Sequence, residues 1–305
     1  MIEIKRILCP IDYSEFSRHA LDQAVALAQW YGASVTAVFV LPQIASLIPA
    51  GDPGLYPPFV FTADDLQQFK ATLDVFVAGS GDVTGNGSRV KVETLVVEGG
   101  IAGEIVRMAR ELPADLLVMG THGRSGFDRL MLGSVTEKML RKAPCPVLTV
   151  PSRVSGVPAT PIQFTRILCP VDFSPSSFKA LKLAESLAEE TDAHLRILHV
   201  LEPASVFEPV PMGGSGAPPI DAKASAEALQ HLRGAISSEA RVYSQVSETV
   251  AVGKAYREIL REAAEQRSDL IVIGAHGGRL ASAAFGATAN HVVREATCPV
   301  LSLRA

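Results

Sequence analysis

The stretch RILCPID at residues 6–12 decides the fold, because it returns almost unchanged as RILCPVD at residues 166–172. A second stretch, CPVL, occurs at residues 145–148 and again at residues 298–301. One stretch opens and the other closes a segment of roughly 150 residues, which is the size of an ordinary domain. The chain of 305 residues is therefore predicted to be an internal repeat of two domains.

Proline, serine and glycine mark the boundary between the two halves. They are concentrated between Pro151 and Pro161, a composition typical of an interdomain linker. We predict a first domain at residues 1–151, a linker at residues 152–164 and a second domain at residues 165–305. Two further segments rich in proline and glycine, Leu41–Pro58 and Leu201–Pro219, predict long surface loops inside the domains.

Apolar runs alternate with segments of helical spacing in each half. In the first half the runs predict five strands, and apolar residues at helical spacing predict four helices. The predicted strands are Ile4–Ile11, Ala33–Val40, Arg89–Val97, Asp115–Gly120 and Pro146–Val150, and the helices are Ser14–Trp30, Ala63–Val77, Ala102–Leu112 and Gly133–Arg141. Strands that are apolar throughout are typical of a parallel sheet covered on both faces. Each half is thus predicted to be a doubly wound, Rossmann-like α/β domain with five parallel strands in the order 3-2-1-4-5.

Composition and charge exclude several classes of protein. There are 28 Lys and Arg against 32 Asp and Glu, for a net charge of −4, whereas a basic nucleic-acid-binding surface needs an excess of cations. No apolar run approaches the roughly 20 residues of a membrane span, and the first residues do not resemble a signal peptide. Four cysteines without CxxC spacing predict apolar strand residues and no disulfide or metal site. We expect a cytoplasmic protein without a membrane or nucleic-acid partner.

A glycine-rich loop follows the fourth predicted strand and carries the functional signal. Its spacing is G-x2-G-x9-G-S, from Gly120 through Gly123 to Gly133 and Ser134. The glycines let the backbone approach a ligand, and the helix that starts at Gly133 offers free N–H groups to an anion. Arg124 adds a cation to this loop. In the predicted strand order the loop faces Asp12, which ends the first strand and suits a base amino group or a ribose hydroxyl.

Each of these residues also has a simpler interpretation. Asp12 is in the position to cap the following helix, and His122 lacks a partner for catalysis, which favours a solvated or loop-bracing role. Arg124 is equally a candidate surface cation. The chain contains no P-loop lysine motif, no G-x-G-x-x-G after a strand and no G-x-S-x-G elbow.

The sequence resembles a tandem universal stress protein over nearly its whole length. The resemblance rests on CPID at residues 9–12, on the loop from Gly120 to Ser134, and on APCPVL at residues 143–148. It implies binding of ATP, with Mg²⁺ or Mn²⁺ as an accompanying ion and no metal site of protein side chains alone. The site residues that we infer for the first half are Pro10, Ile11, Asp12, Val40, Met119, Gly120, Gly123, Arg124, Gly133, Ser134, Val135 and Thr136. The resemblance also implies that Val147–Val150 and Val300–Leu303 pair and join the halves, while a homodimer of chains stays an open alternative.

The second half departs from this pattern. Its loop runs from Gly274 through Gly277 to Gly286 with one residue fewer, and Ala287 replaces the serine. Losing a hydroxyl bond to a charged group weakens binding by about one to two decades, and a shorter loop is expected to shift the amides. The corresponding candidate residues are Asp172, Val200, Gly274, Gly277, Gly286 and Thr288.

The predicted function is an ATP-binding regulatory or protective stress protein with little or no turnover and no catalytic residues. Two alternatives stay open at this point. One is a scaffold or partner-binding protein with a vestigial nucleotide site, and the other is a slow ATPase.

Overall fold

The structure is a computed structural model that describes residues 3–42, 61–79, 90–123, 132–151, 164–202, 222–243, 245–275 and 285–304. These residues form two compact units, which divide between residues 162 and 163. Of the predicted linker only Phe164 is described, and it is buried, so the position of the linker stays a prediction. Most of the two predicted loops also lies outside the described residues.

The first unit alternates strands and helices as the hydrophobic pattern predicted. Its elements are β1 (Arg6–Ile11), α1 (Glu15–Tyr31), β2 (Ser34–Pro42), α2 (Ala63–Ala78), β3 (Val92–Gly99), α3 (Ile101–Glu111), β4 (Leu116–Gly120), α4 (Ser134–Lys142) and β5 (Val147–Val150). The bounds differ from the prediction by up to three residues. Leu41 and Pro42, which were expected to begin a loop, still belong to β2, because their backbone remains paired with β3.

The strands of the first unit form a parallel sheet in the order β3-β2-β1-β4-β5. This order confirms the predicted doubly wound topology. The winding reverses between β1 and β4, since β2 and β3 lie on one side of β1 whereas β4 and β5 lie on the other. The carboxyl ends of β1 and β4 are therefore neighbours, which is where such sheets bind ligands.

Local sequence explains how α1 covers the sheet. The hydroxyl of Ser14 caps the helix by accepting a hydrogen bond from the Ser17 N–H, and Gly32 ends it with φ of 65°. Ala20, Ala24 and other small buried residues form its inner face. Their small size lets α1 lie close to β1 and β4, so the start of this helix is held tightly above the carboxyl ends of the strands.

The second unit repeats this architecture, with one short helix, α7 (Ser238–Tyr243), that has no counterpart among the described residues of the first unit and was not predicted. Its elements are β6 (Arg166–Pro170), α5 (Pro175–Thr191), β7 (His194–Leu201), α6 (Ala222–Ala235), α7 (Ser238–Tyr243), β8 (Gln245–Val252), α8 (Ala255–Glu265), β9 (Leu270–Gly274), α9 (Ala287–Glu295) and β10 (Val300–Leu303). Its strand order, β8-β7-β6-β9-β10, is parallel throughout and matches that of the first unit. Among the described residues no helix has the length and apolar character needed to cross a membrane.

Candidate functional site

The Asp12 carboxylate is fixed at the end of β1 by the turn that follows it. Its Oδ1 accepts hydrogen bonds from the Ser14 N–H at 3.0 Å and from the Ser14 hydroxyl at 2.5 Å. Tyr13 takes a left-handed backbone conformation with φ of 63°, which is uncommon outside glycine. The helix cap is Ser14, so Asp12 positions the capping residue and is not itself the cap.

The glycine-rich loop after β4 packs directly against this carboxylate. A Cβ atom on Gly123 would lie 2.6 Å from Asp12 Oδ2, a distance that only a residue without a side chain allows. The structure therefore brings Asp12 and the loop after β4 together. Gly120 has a different role, because a Cβ there would lie 2.9 Å from Phe16 Cβ, so this glycine lets the first turn of α1 pack onto β4.

The start of α4 is anchored to the end of β4 by two hydrogen bonds. The Gly133 N–H donates to the Thr121 carbonyl oxygen at 2.9 Å, and the Thr136 hydroxyl donates to the Gly120 carbonyl oxygen at 2.9 Å. Neither of these donors is therefore free to serve a phosphate, although both residues were predicted as phosphate ligands. What Thr136 can still offer is its backbone N–H group.

The first turn of α4 retains the features of an anion site. Gly133 is its N-cap, and no side chain among the described residues caps it. The N–H groups of residues 134–136 are those that a helix leaves without an intrahelical partner, and the helix dipole adds positive potential there. Ser134 is exposed, so its hydroxyl is available beside these three donors.

The remaining predicted residues of the first half belong to the strands or to the loop after β4. Val40, Ile11 and Met119 are buried, at 6%, 4% and 5% exposure, so their side chains belong to the core. Pro10 is partly buried in β1. Arg124 lies outside the described residues.

His122 braces the loop, which is one of the two roles that the simpler interpretation left open. Its Nδ1 lies 3.0 Å from the Thr121 hydroxyl, and its ring packs 5.6 Å from the ring of Phe16. Among the described residues this hydroxyl is the only hydrogen-bond partner of the ring, and Nε2 is buried without one. The described residues also contain no group of three or more His, Cys, Asp or Glu side chains arranged to hold a metal ion.

The second unit contains a cavity of about 330 Å³ at the corresponding position. It is lined by the counterparts of most residues that were predicted for the first half, namely Pro170, Val171, Asp172, Val200, Ile273, Gly274, Gly286, Ala287, Thr288 and Ala289. Five of the six second-half candidates are therefore brought together, and the sixth, Gly277, lies outside the described residues.

The shorter loop does not shift the start of α9 away from β9. The Gly286 N–H donates to the Ala275 carbonyl oxygen at 2.8 Å, which repeats the anchor between Gly133 and Thr121. The prediction that the shorter loop displaces the amides is therefore wrong for Gly286. The missing residue lies between Ala275 and Gly286. Ala289 stands where the first half has Thr136, so the second half lacks both hydroxyls of the first half, whereas Thr288 adds one where the first half has Val135.

Sequence reasoning missed several residues that line the second-half cavity, namely Ser177, Leu198, His199, Ala255 and Ile259. Ala255 and Ile259 belong to α8, which starts immediately after a glycine turn at Gly253 with φ of 150°. That turn, which follows β8, was the available signal that α8 begins at the ligand-binding edge of the sheet. In the first half the corresponding turn at Gly99 precedes α3.

Comparison with known proteins relates both halves to one family. A family model described as "Universal stress protein family" matches residues 3–151 and 163–304. Universal stress protein Rv2005c of Mycobacterium tuberculosis is 26% identical over 287 residues, which cover 92% of each chain. Universal stress protein MJ0531 of Methanocaldococcus jannaschii is 33% identical over 146 residues, which cover 48% of this chain and 81% of that protein.

Solved structures show the same fold. The crystal structure of a universal stress protein from Archaeoglobus fulgidus DSM 4304 aligns with a TM-score of 0.65 and 20% identity, over 98% of this chain and 96% of that chain. A putative universal stress protein from Pseudomonas aeruginosa UCBPP-PA14 aligns with a TM-score of 0.59 and 18% identity, over 99% and 93%. At these identities the likeness concerns the fold alone.

Proposed function

The chain belongs to the universal stress protein family as a tandem of two family domains, and from this premise we propose that its first half binds ATP between Asp12 and the start of α4. The role that we propose is a regulatory or protective one in the stress response, exerted by the nucleotide-bound protein with little turnover. The single observation that carries the proposal is the close approach of Gly123 to the Asp12 carboxylate, and the start of α4, which no described side chain caps, supports it.

Asp12 and the first turn of α4 suit the two ends of a nucleotide. Asp12 Oδ2 is a hydrogen-bond acceptor, which fits the amino group of adenine or the hydroxyls of ribose and repels phosphate. The first turn of α4 offers the N–H groups of residues 134–136 together with the Ser134 hydroxyl. Because charged hydrogen bonds contribute about 1.5–3 kcal/mol each, three or four of them supply the roughly 8 kcal/mol of micromolar affinity.

A divalent cation would bind at this site through the phosphates of the nucleotide. The described residues hold no cluster of carboxylates or histidines that would bind the ion beforehand. Mg²⁺ is commonly held by substrate phosphates and water with few protein ligands. We therefore expect Mg²⁺ to strengthen ATP binding and not to bind measurably alone.

Gly133→Asp tests the proposal. Gly133 has φ of −57° and ψ of 135°, which suits an N-capping residue, so the introduced carboxylate accepts the N–H groups that the phosphate needs. We expect ATP affinity in calorimetry to fall at least about tenfold, which is 1.4 kcal/mol. The matched control is Gly133→Ala, whose Cβ meets the same neighbour, the Thr121 carbonyl oxygen at 3.2 Å, without the charge.

We expect Gly133→Ala to keep the ATP affinity within about threefold of the wild type. Equal ATP affinity in the wild type and in a folded Gly133→Asp variant would refute the assignment. Phosphate release followed over hours, with Gly133→Asp as the background, tests the absence of turnover. Release by the wild type well above that background would instead support the ATPase alternative.

A further inference from the structure

The first unit contains a small cavity at the amino ends of its strands, on the edge of the sheet opposite to the proposed nucleotide site. Its volume of about 110 Å³ is too small for a nucleotide but holds several waters or one small molecule. Four polar residues line it, namely Arg6 at the start of β1, Ser34 and Thr36 on β2, and Glu93 on β3. Leu112, which directly follows α3, contributes to an apolar wall.

The second unit fills the corresponding position with a side chain of its own. Arg196 on β7 is the counterpart of Thr36, because β7 and β2 pair with the first strand of their unit in the same register. The Arg196 Nε donates to Glu262 Oε1, and its Nη1 donates to Ser247 Oγ at 3.4 Å. Because these acceptors belong to α8 and β8, a guanidinium group lies between the helix and the sheet at this edge.

The acceptors for such a group are rearranged in the first unit. On the helix, Met108 stands where α8 has the buried carboxylate of Glu262. On the edge strand, Glu93 stands where β8 has Ser247, because each pairs with the counterpart position of the neighbouring strand. The first unit therefore keeps one carboxylate beside this position, on the strand and not on the helix, and lacks the guanidinium.

The charges around the cavity are compatible with an added cation. The Arg6 Nη2 lies 3.8 Å from Asp115 Oδ1, so a carboxylate offsets this guanidinium. The second unit has Arg166 at the counterpart of Arg6 and still accommodates an internal guanidinium. Glu93 pairs with Lys91 at 2.6 Å, but the Lys91 side chain is 79% exposed. Such an exposed pair is weak, so Lys91 can turn away when another cation approaches.

We propose that this cavity binds a small molecule that carries a guanidinium group, with Glu93 accepting its N–H groups as Glu262 accepts those of Arg196. The hydroxyl oxygens of Ser34 and Thr36 are further acceptors in the lining. A guanidinium is planar and weakly hydrated, which suits a narrow space with an apolar wall. This binding site is separate from the proposed nucleotide site and does not depend on it.

Ligand-observed NMR on the full chain tests this proposal, with methylguanidinium chloride as the probe and methylammonium chloride at equal ionic strength as the matched cation. We expect saturable binding of methylguanidinium at millimolar concentration and no such binding of methylammonium. Thr36→Arg places a guanidinium of the chain in the cavity and should abolish the binding. Glu93→Gln should weaken it about fivefold, whereas Glu98→Gln, the same change at the other end of β3, should leave it unchanged.

A reciprocal exchange tests the equivalence of the two positions. Adding Arg196→Thr to Thr36→Arg opens the counterpart position in the second unit and leaves Glu262 without its partner, so the binding of methylguanidinium should return. A folded double variant that does not regain binding would contradict the assignment.

Three other results would also overturn the proposal. They are the absence of saturable methylguanidinium binding, equal binding of methylammonium, and unchanged binding in a folded Thr36→Arg variant. If Thr36→Arg does not fold, the Glu93→Gln and Glu98→Gln variants decide, because equal affinity in these two would place the probe outside the cavity.

Discussion

Gly123 and Asp12 illustrate how a single missing side chain lets a loop approach the end of a strand. Asp12 Oδ1 is held by Ser14, so the carboxylate cannot rotate away from a new neighbour without breaking these bonds. A methyl group in Gly123→Ala would lie 2.6 Å from Oδ2. We expect calorimetry of this variant to show ATP affinity reduced at least about tenfold.

The matched control for that substitution is Gly103→Ala on α3. A Cβ at Gly103 meets nothing within 4 Å, and alanine is favoured over glycine in a helix by about 0.5–1 kcal/mol. We expect this control to raise the free energy of unfolding in urea by about that amount and to leave ATP affinity unchanged. A Gly123→Ala variant that binds ATP like the wild type would show that the carboxylate contact is not part of the site.

Burial makes the four cysteines poor nucleophiles. It raises the pKa of Cys9 and of Cys169 far above the ordinary thiol range, that of Cys298 to about 12 and that of Cys145 to about 11. The reactive thiolate is the deprotonated form, so the folded chain should label slowly with a disulfide reagent at pH 8, and Cys145 should label first as the pH rises. Rapid labelling of several cysteines without denaturant would contradict this.

At the scale of the elements, the hydroxyl of Thr136 joins α4 to β4. It is buried, at 3% exposure, and donates to the Gly120 carbonyl oxygen. Thr136→Val keeps the shape but leaves this buried carbonyl without its partner, which costs about 1–3 kcal/mol. We expect urea unfolding to show that the free energy of unfolding falls by this amount.

Ser134→Ala is the matched control for Thr136→Val, because Ser134 lies two residues before Thr136 in the same helical turn and is exposed. This variant should change the free energy of unfolding by less than about 0.5 kcal/mol. It should also weaken the binding of ATP. Equal stability losses in the two variants would show that the hydroxyl of Thr136 is not structural.

The sequence predicted the elements well because their patterns are local. The helical spacing of α1 and the wholly apolar run of β4 are visible without knowledge of their neighbours. The bonds at the start of α4 were not predictable, because the choice of the Thr136 hydroxyl between a phosphate and the Gly120 carbonyl depends on the distance between two elements. That Ala255 lines the second-half cavity was not predictable either, because it depends on how α8 packs over the sheet.

At the scale of the whole molecule, the repeat in the sequence predicted two domains of the same topology but not how their sites differ. A comparison of motifs ranks the second half as a weaker copy of the first. The structure adds His199, which no motif includes, and preserves the anchor between Gly286 and Ala275. The second half therefore keeps the anchor at the start of its last helix, while several of its lining side chains differ from those of the first half.

Ligand binding should stabilise only the half that holds the ligand. At an ATP concentration about 100 times Kd, the free energy of unfolding of the first half should rise by about 2.7 kcal/mol. Thermal unfolding of the wild type with and without ATP measures this shift, and Gly133→Asp should remove it. A shift of the same size in Gly133→Asp would place the nucleotide outside the first half.

The central claim is tested most directly by a crystal structure of the chain grown with ATP and Mg²⁺. The account predicts phosphate oxygens within about 2.7–3.2 Å of the N–H groups of residues 134–136, with the base or ribose against Asp12. ATP bound elsewhere, or a crevice between Asp12 and α4 filled by side chains of the loop, would contradict it.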